Sequence, residues 1–309
     1  RKLLVNKEFL DLAEQLKSSV SCTVRLNELM SGHTSFKIGG PADILVLPES
    51  IEQLREVLKV VKETVVPLTL LGNGSNVLVR DKGIRGIVIK LGNMLRHFYE
   101  AEDLLVFGSG YSLALASYKA MECGKTGMEF AVGIPGSIGG AVYMNAGAYD
   151  GEMQNIVNCV KVMDLQGNER VLTAEELNFG YRKTSLQNSG LIVTEVTLKM
   201  PSGNKDEIKS KMDDFSHRRI SKQPLEMPSA GSMFKRPPGY FAGTLIDQAG
   251  LKGYTVGGAQ ISTKHAGFVV NVGGATAADV LQLIKDVQTK IKAGVGVELQ
   301  PEVLVIGEE

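Results

Sequence analysis

Two glycine-rich segments constrain this chain more than any other feature: Gly72-Asn73-Gly74-Ser75-Asn76, and Gly133-Ile134-Pro135-Gly136-Ser137-Ile138-Gly139-Gly140-Ala141. Glycine lets backbone turn sharply or approach a ligand closely, and 35 glycines in 309 residues exceeds ordinary usage. The first segment follows a β-rich run ending at Leu70-Leu71. Its small residues can gather backbone N–H groups into an anion-binding nest, to which Ser75 and Asn76 add side-chain donors. A plain strand-connecting turn is the other reading. The second segment continues to Asn145-Ala146-Gly147-Ala148. Backbone so poor in side chains suits a large flat or phosphate-bearing ligand, or else a tight helix-packing surface. Together the two favour a nucleotide cofactor held outside a Rossmann fold.

The familiar nucleotide fingerprints fail on their residues. Gly72-Asn73-Gly74 and Gly108-Ser109-Gly110 each open like a dinucleotide loop, but Val77 and Leu113 stand where the third glycine belongs. Gly124-Lys125-Thr126 resembles the end of a P-loop, yet Lys119 replaces the required earlier glycine, so a helix end followed by a turn is expected. His33, His97, His217 and His265 lack metal-ligand spacing, and no metal is expected. There is no G-x-S-x-G elbow for a serine hydrolase.

Charge narrows the partners. Lys+Arg and Asp+Glu balance at 34 each, so no net field draws nucleic acid or anionic lipid. Three cysteines, Cys22, Cys123 and Cys159, are odd in number and not spaced as CxxC, which points to a reducing compartment. No stretch is apolar enough to span a bilayer. A cytoplasmic location is the resulting expectation.

The elements alternate as a mixed α/β chain without internal repeats. Residues 1–17 carry an amphipathic helical pattern. Ser50 and Gln53 make a capping box for a helix to Glu63, with Ile51, Leu54, Leu58 and Val61 as its apolar stripe. Strands are predicted at 65–71, 77–79 and 86–91, a helix at 112–122, and strands and turns over 157–200 with a hairpin at Gln166-Gly167-Asn168. A charged helix is expected over about 205–217, and a strand from Gly267 to Val272. Thr276 and Asp279 cap a further helix whose stripe is Val280, Leu283, Ile284, Val287 and Ile291. A last strand, 302–306, is expected to be buried. The organisation read from this is an N-terminal cofactor-binding subdomain (1–66), a main cofactor-binding subdomain (67–203) and a C-terminal substrate domain (204–309).

Four further motifs join these segments. HTSFKIGGPAD (33–43), LGNGSNVLV (71–79), IPGSIGGAVYMNAGAYDGEM (134–153), FGYRKTSL (179–186), AGSMFKRP (230–237) and LQPEV (299–303) together resemble the UDP-N-acetylenolpyruvoylglucosamine reductases over nearly the whole chain. The resemblance is to the shorter of the two family types, without the tyrosine-bearing insertion. It implies an α+β chain with the FAD-binding fold of the vanillyl-alcohol-oxidase type and a C-terminal α/β substrate domain. It also implies a monomeric oxidoreductase of peptidoglycan precursor synthesis, using NADPH as co-substrate to reduce UDP-N-acetylglucosamine enolpyruvate. With no histidine in the 72–76 loop, non-covalent FAD is expected.

The resemblance also assigns roles. Arg182 binds the substrate carboxylate, where a permanently charged fork suits a developing dianion. Glu302 stands beside the same carboxylate, and Ser232 donates a proton to C2. Cofactor contacts fall on Gly39, Leu71, Gly72, Asn73, Gly74, Ser75, Asn76, Gly133, Pro135, Gly136, Ser137, Gly139, Gly140, Ala141 and Asn145. Substrate contacts fall on Tyr149, Lys222, Arg236 and His265, while Arg218 and Arg219 face the flavin or diphosphate or form a solvated helix end. Arg236 and His265 depart from the longer type's asparagine and glutamine. The competing readings are a small-alcohol oxidase of the same fold and a nucleotide-sugar binding protein without turnover.

Overall fold

Helix α1 (Lys7–Ser19) opens the computed structural model, which describes residues 7–92 and 94–309; residues 1–6 of the amphipathic stretch lie outside the described residues. Strands β1 (Thr23–Leu29) and β2 (Pro41–Leu47) follow, then α2 (Ile51–Lys62), β3 (Leu68–Leu71), β4 (Val77–Val79) and β5 (Ile84–Lys90). Four of these strands form a sheet in the order β1-β2-β5-β3, with β3 parallel to β5 and Leu68 opposite Ile87.

Ser50 caps α2 by accepting the Gln53 N–H, as its sequence requires. The buried face of α2 is Leu54, Val57, Leu58 and Val60 rather than the full expected stripe; Ile51 and Val61 are half-buried. The strand expected from Val65 starts only at Leu68, because Val65 is 98% exposed and Pro67 has no N–H to pair.

Next come β6 (Phe98–Ala101), β7 (Leu104–Gly108), α3 (Leu113–Glu122), the short α4 (Ile138–Tyr143), a minimal hairpin of β8 (Gly147–Ala148) and β9 (Gly151–Glu152), then β10 (Val157–Met163), β11 (Glu169–Thr173) and β12 (Ile192–Lys199). Gly124, at φ +67°, closes α3 in the left-handed region, so the P-loop look-alike is a helix end. An antiparallel sheet runs β11-β10-β12-β7-β6. Its hairpin turn is built by Asp164, whose carboxylate accepts the N–H groups of Gln166 and Asn168. Leu105, Phe107, Val160, Val162, Val196 and Leu198 bury one core beneath α3 and α4.

Helix α5 (Lys205–Lys222) runs a turn beyond the expected end, so Arg218, Arg219 and Lys222 are helical. The remaining elements are β13 (Ser229–Ser232), α6 (Ala242–Gln248), β14 (Thr255–Val256), β15 (Ala259–Ile261), β16 (Phe268–Asn271), α7 (Ala277–Val295) and β17 (Leu304–Ile306). The sheet order is β13-β16-β15-β14. Helix α7 has the full Thr276/Asp279 capping box, and all five stripe residues are buried. Strand β17 corrects one expectation: it pairs in parallel with β4 alone, so Leu304 is 40% exposed, and Val303 before it fills the core.

The chain divides into two compact units. One holds the segment up to Leu26, with Ile44–Asn73 and Gly86–Arg218; the other holds Asn27–Asp43, Gly74–Arg85 and Arg219–Glu309. Among the described residues no helix is long and apolar enough to cross a membrane, and no cluster of His, Cys, Asp and Glu could hold a metal.

Candidate active site

In the first unit, β3 delivers the buried Leu71 and then Gly72 and Asn73. The Asn73 side-chain amide donates to Gly92 O at 3.2 Å and accepts the Ser137 N–H at 3.3 Å. Ser137 caps α4, its hydroxyl accepting the Gly140 N–H at 3.3 Å. A Cβ on Gly72 would stand 3.7 Å from Ser137 Oγ, and one on Gly140 would stand 3.4 Å from the same atom, with nothing else within 4 Å of either. Bare backbone of the two glycine-rich segments thus converges on one hydroxyl.

Gly139 is glycine for another reason: its Cβ would fall 2.8 Å from Ser109 Cβ, where its N–H donates to Ser109 O at 2.9 Å. Ala141 is buried beside it. Gly133 (φ +73°) and Gly136 (φ +117°) flank the exposed Pro135 in conformations that favour glycine.

Arg182 belongs to the same unit and sits in a tight turn, Gly180 and Lys183 exchanging backbone hydrogen bonds of 2.9 and 3.1 Å. Its φ is +55°. The guanidinium donates to Asn145 O at 3.3 Å and Gly147 O at 3.1 Å. Asn145 is fully buried; its amide donates to Gly180 O and to the Glu152 carboxylate, both at 3.0 Å, and accepts the Gln154 N–H. The Tyr149 ring stacks on Phe215 at 4.3 Å, and its hydroxyl donates to Phe215 O at 3.4 Å. Arg218 pairs with Asp214 at 2.7 Å on the exposed side of α5.

In the second unit, Gly74 (φ +69°) is buried against His33, whose carbonyl oxygen a Cβ would approach to 2.3 Å. Among the described residues, the N–H groups of Gly74, Ser75 and Asn76 donate to no protein acceptor. Gly39 (φ +146°) lies against Met30 and Val79. Ser232 ends β13 and is exposed, after Gly231 (φ +76°) shifts the register against β16. Phe234 and Pro301 form a bridge, flanked by Glu302 N–H to Met233 O and Lys235 N–H to Gln300 O, both 2.8 Å. Glu302 is therefore hydrogen-bonded to the residue that follows Ser232, from a segment 70 positions further along the chain. Asn76 holds it from the other side, its amide reaching Glu302 O at 3.4 Å and its carbonyl accepting the Leu304 N–H at 3.0 Å.

Nearby in sequence, Arg236 lies over the Phe241 ring at 4.0 Å. His265 accepts the Gly267 N–H on Nδ1 at 3.1 Å and meets Phe268 edge-on. Burial, reinforced by the Lys252 and Lys222 charges, holds its pKa below the ordinary imidazole value. Lys222 is exposed at the end of α5, and Arg219, one turn earlier, is buried.

Comparison with known proteins places this geometry. Residues 223–306 match the C-terminal domain of UDP-N-acetylenolpyruvoylglucosamine reductase, and residues 42–173 match an FAD binding domain. The UDP-N-acetylenolpyruvoylglucosamine reductase of Clostridioides difficile is 49% identical over 93% of this chain and 94% of its own. That of Clostridium perfringens is 50% identical over 98% of each. The crystal structure of the Thermus caldophilus enzyme superposes with a TM-score of 0.77 at 38% identity, covering 92% of this chain and 98% of that one. The chain belongs to the UDP-N-acetylenolpyruvoylglucosamine reductase family.

Members of the UDP-N-acetylenolpyruvoylglucosamine reductase family are FAD-dependent oxidoreductases of peptidoglycan precursor synthesis that use NADPH, and this chain carries their FAD-binding domain. The residues of each unit taken by itself fit such a group: in the first, the openings at Gly72 and Gly140 around Ser137 Oγ suit a cofactor against bare backbone, and in the second, the uncommitted N–H groups of Gly74, Ser75 and Asn76 suit a phosphate.

Two supports went unrecognised in the sequence. Ser35 lies inside HTSFKIGGPAD; its N–H donates to Gly74 O and its hydroxyl donates to Ser229 O at 2.7 Å, tying the Gly74 loop to β13. The failed fingerprint at Gly108-Ser109-Gly110 serves as the platform for Gly139. Its glycine spacing was a signal, though of close packing rather than phosphate binding.

Proposed function

We propose that Arg182, Ser232 and Glu302 carry the reduction of UDP-N-acetylglucosamine enolpyruvate to UDP-N-acetylmuramate. FAD held by the residues named below would supply the redox chemistry, by which a hydride from NADPH reaches C3 of the enolpyruvyl group. The remaining work falls to the protein. Reduction at C3 pushes negative charge onto the substrate carboxylate, and the Arg182 guanidinium answers it with a fixed positive fork. The Ser232 hydroxyl delivers a proton to C2, where a strongly basic carbanion compensates for the weak acidity of serine. Glu302 acts beside the same carboxylate. The observation that supports this reading is the backbone hydrogen bond from Glu302 to Met233, which joins the segment bearing Glu302 to the segment bearing Ser232.

The cofactor contacts we propose are Gly39, Leu71 to Asn76, Gly133, Pro135, Gly136, Ser137, Gly139, Gly140 and Ala141. Tyr149, Lys222, Arg236 and His265 contact substrate. The protein acts as a cytoplasmic monomer, with cofactor-binding subdomains over 1–66 and 67–203 and a substrate domain over 204–309.

An anaerobic visible spectrum tests the reading. Bleaching of bound flavin by NADPH, then recovery on adding UDP-N-acetylglucosamine enolpyruvate, is the expected result. Recovery only with oxygen would overturn it in favour of an oxidase, and absence of bound flavin would remove the cofactor assignment.

A further inference from the structure

We infer that Asn145 and Gln187 are positioning residues that hold Arg182 ready for the substrate carboxylate, an inference resting on the role proposed above for Arg182. A non-glycine residue at φ +55° occupies a sparsely populated region and stays there only when its surroundings over-determine it. Here they do. The two N–H bonds of the Asn145 amide go to Gly180 O, inside the turn, and to the Glu152 carboxylate, while its oxygen accepts the Gln154 N–H. The main-chain carbonyl of Asn145 then accepts the Arg182 guanidinium itself. With its amide saturated and its side chain fully buried, Asn145 acts on the turn rather than on a ligand.

Gln187 grips the other side of the same residue. Its amide donates to Arg182 O at 3.1 Å and to Tyr143 O at 3.3 Å, and the Thr184 hydroxyl donates to Tyr143 O at 2.8 Å. Tyr143 is the last residue of α4, where backbone carbonyls lack helical partners. The segment bearing Arg182 therefore satisfies the C-terminal end of α4, while Ser137 caps its N-terminal end beside Gly72 and Gly140. Helix α4, six residues and roughly 9 Å of rise at 1.5 Å each, thus connects its Ser137 cap at one end to the segment bearing Arg182 at the other.

The test measures both half-reactions of the FAD-bound enzyme by anaerobic stopped flow, for Asn145→Asp, Gln187→Met, Arg182→Ala and the double variant Gln187→Met/Arg182→Ala. For Gln187→Met, positioning predicts unchanged FAD content and flavin reduction by NADPH within about two-fold of wild type; for each single variant it predicts reoxidation by UDP-N-acetylglucosamine enolpyruvate slowed on the order of 100-fold, the usual cost of a misplaced group. It also predicts that Gln187→Met adds nothing once Arg182 is alanine. If Arg182→Ala leaves reoxidation intact, the reading of Arg182 itself fails. If Arg182→Ala slows it but Gln187→Met does not, or if Gln187→Met slows the double variant further, the positioning inference fails alone. Should Asn145→Asp not fold, Gln187→Met decides the matter by the same readouts.

Discussion

The backbone N–H of Glu302 donates to the carbonyl of Met233 at 2.8 Å, one residue past Ser232. A single β-bridge at Phe234 and Pro301 thereby joins the segments bearing Ser232 and Glu302, which are distant in the chain. If Ser232 is the proton donor, Ser232→Ala leaves flavin reduction by NADPH intact and slows flavin reoxidation by substrate by about 10²–10⁴-fold, the range for a lost general acid. Rapid-mixing spectroscopy of each half-reaction checks this. Equal loss in both would make Ser232 structural.

Gly140→Ala separates stability from cofactor binding. Gly140 lies inside α4, where alanine stabilises a helix by roughly 0.5–1 kcal/mol over glycine. The new methyl would also enter the opening at Ser137 Oγ. The flavin-free protein should melt at the same temperature or higher, while FAD affinity falls. Calorimetry and flavin titration of one preparation give both numbers, and undiminished affinity would place the cofactor elsewhere.

Asp81 caps α7 from outside the helix, its two carboxylate oxygens accepting the N–H groups of Ala277 and Ala278 at 2.7 and 2.9 Å. Asp81→Ala should cost about 1 kcal/mol, as loss of an N-cap does, a fall of roughly 2 °C in Tm for a chain of this size. Asp81→Asn, which keeps one acceptor, should fall between. Thermal unfolding followed by far-UV circular dichroism reads both.

His265 should make the fold acid-sensitive. Its folded pKa is depressed by burial, so the unfolded chain binds its proton first. The stability it contributes is present above the unfolded value, about pH 6.5, and is lost as pH falls from there through the folded pKa. His265→Gln cannot take up that proton and should flatten the stability profile below about pH 6.5. Urea unfolding at stepped pH measures it; parallel profiles for the two proteins would remove His265 as the cause.

What the chain alone determined is what neighbours in sequence decide. Ser50, Ser112, Ser137 and Thr276 start helices because a side-chain oxygen two or three residues upstream satisfies orphan N–H groups, and Asp164 builds its hairpin turn from within five residues. The stripe of α7 follows from helical period alone, and the clustered motifs carried the family. Tertiary structure decided the rest. That Asn73 meets Ser137, that Asp81 caps α7, that Asn145 is spent on Gly180 and Glu152, and that β17 lies at a half-exposed two-stranded edge all depend on contacts between distant segments. Local propensity cannot encode such pairings, because a buried amide or carboxylate takes whichever partner the folded backbone brings within hydrogen-bond reach.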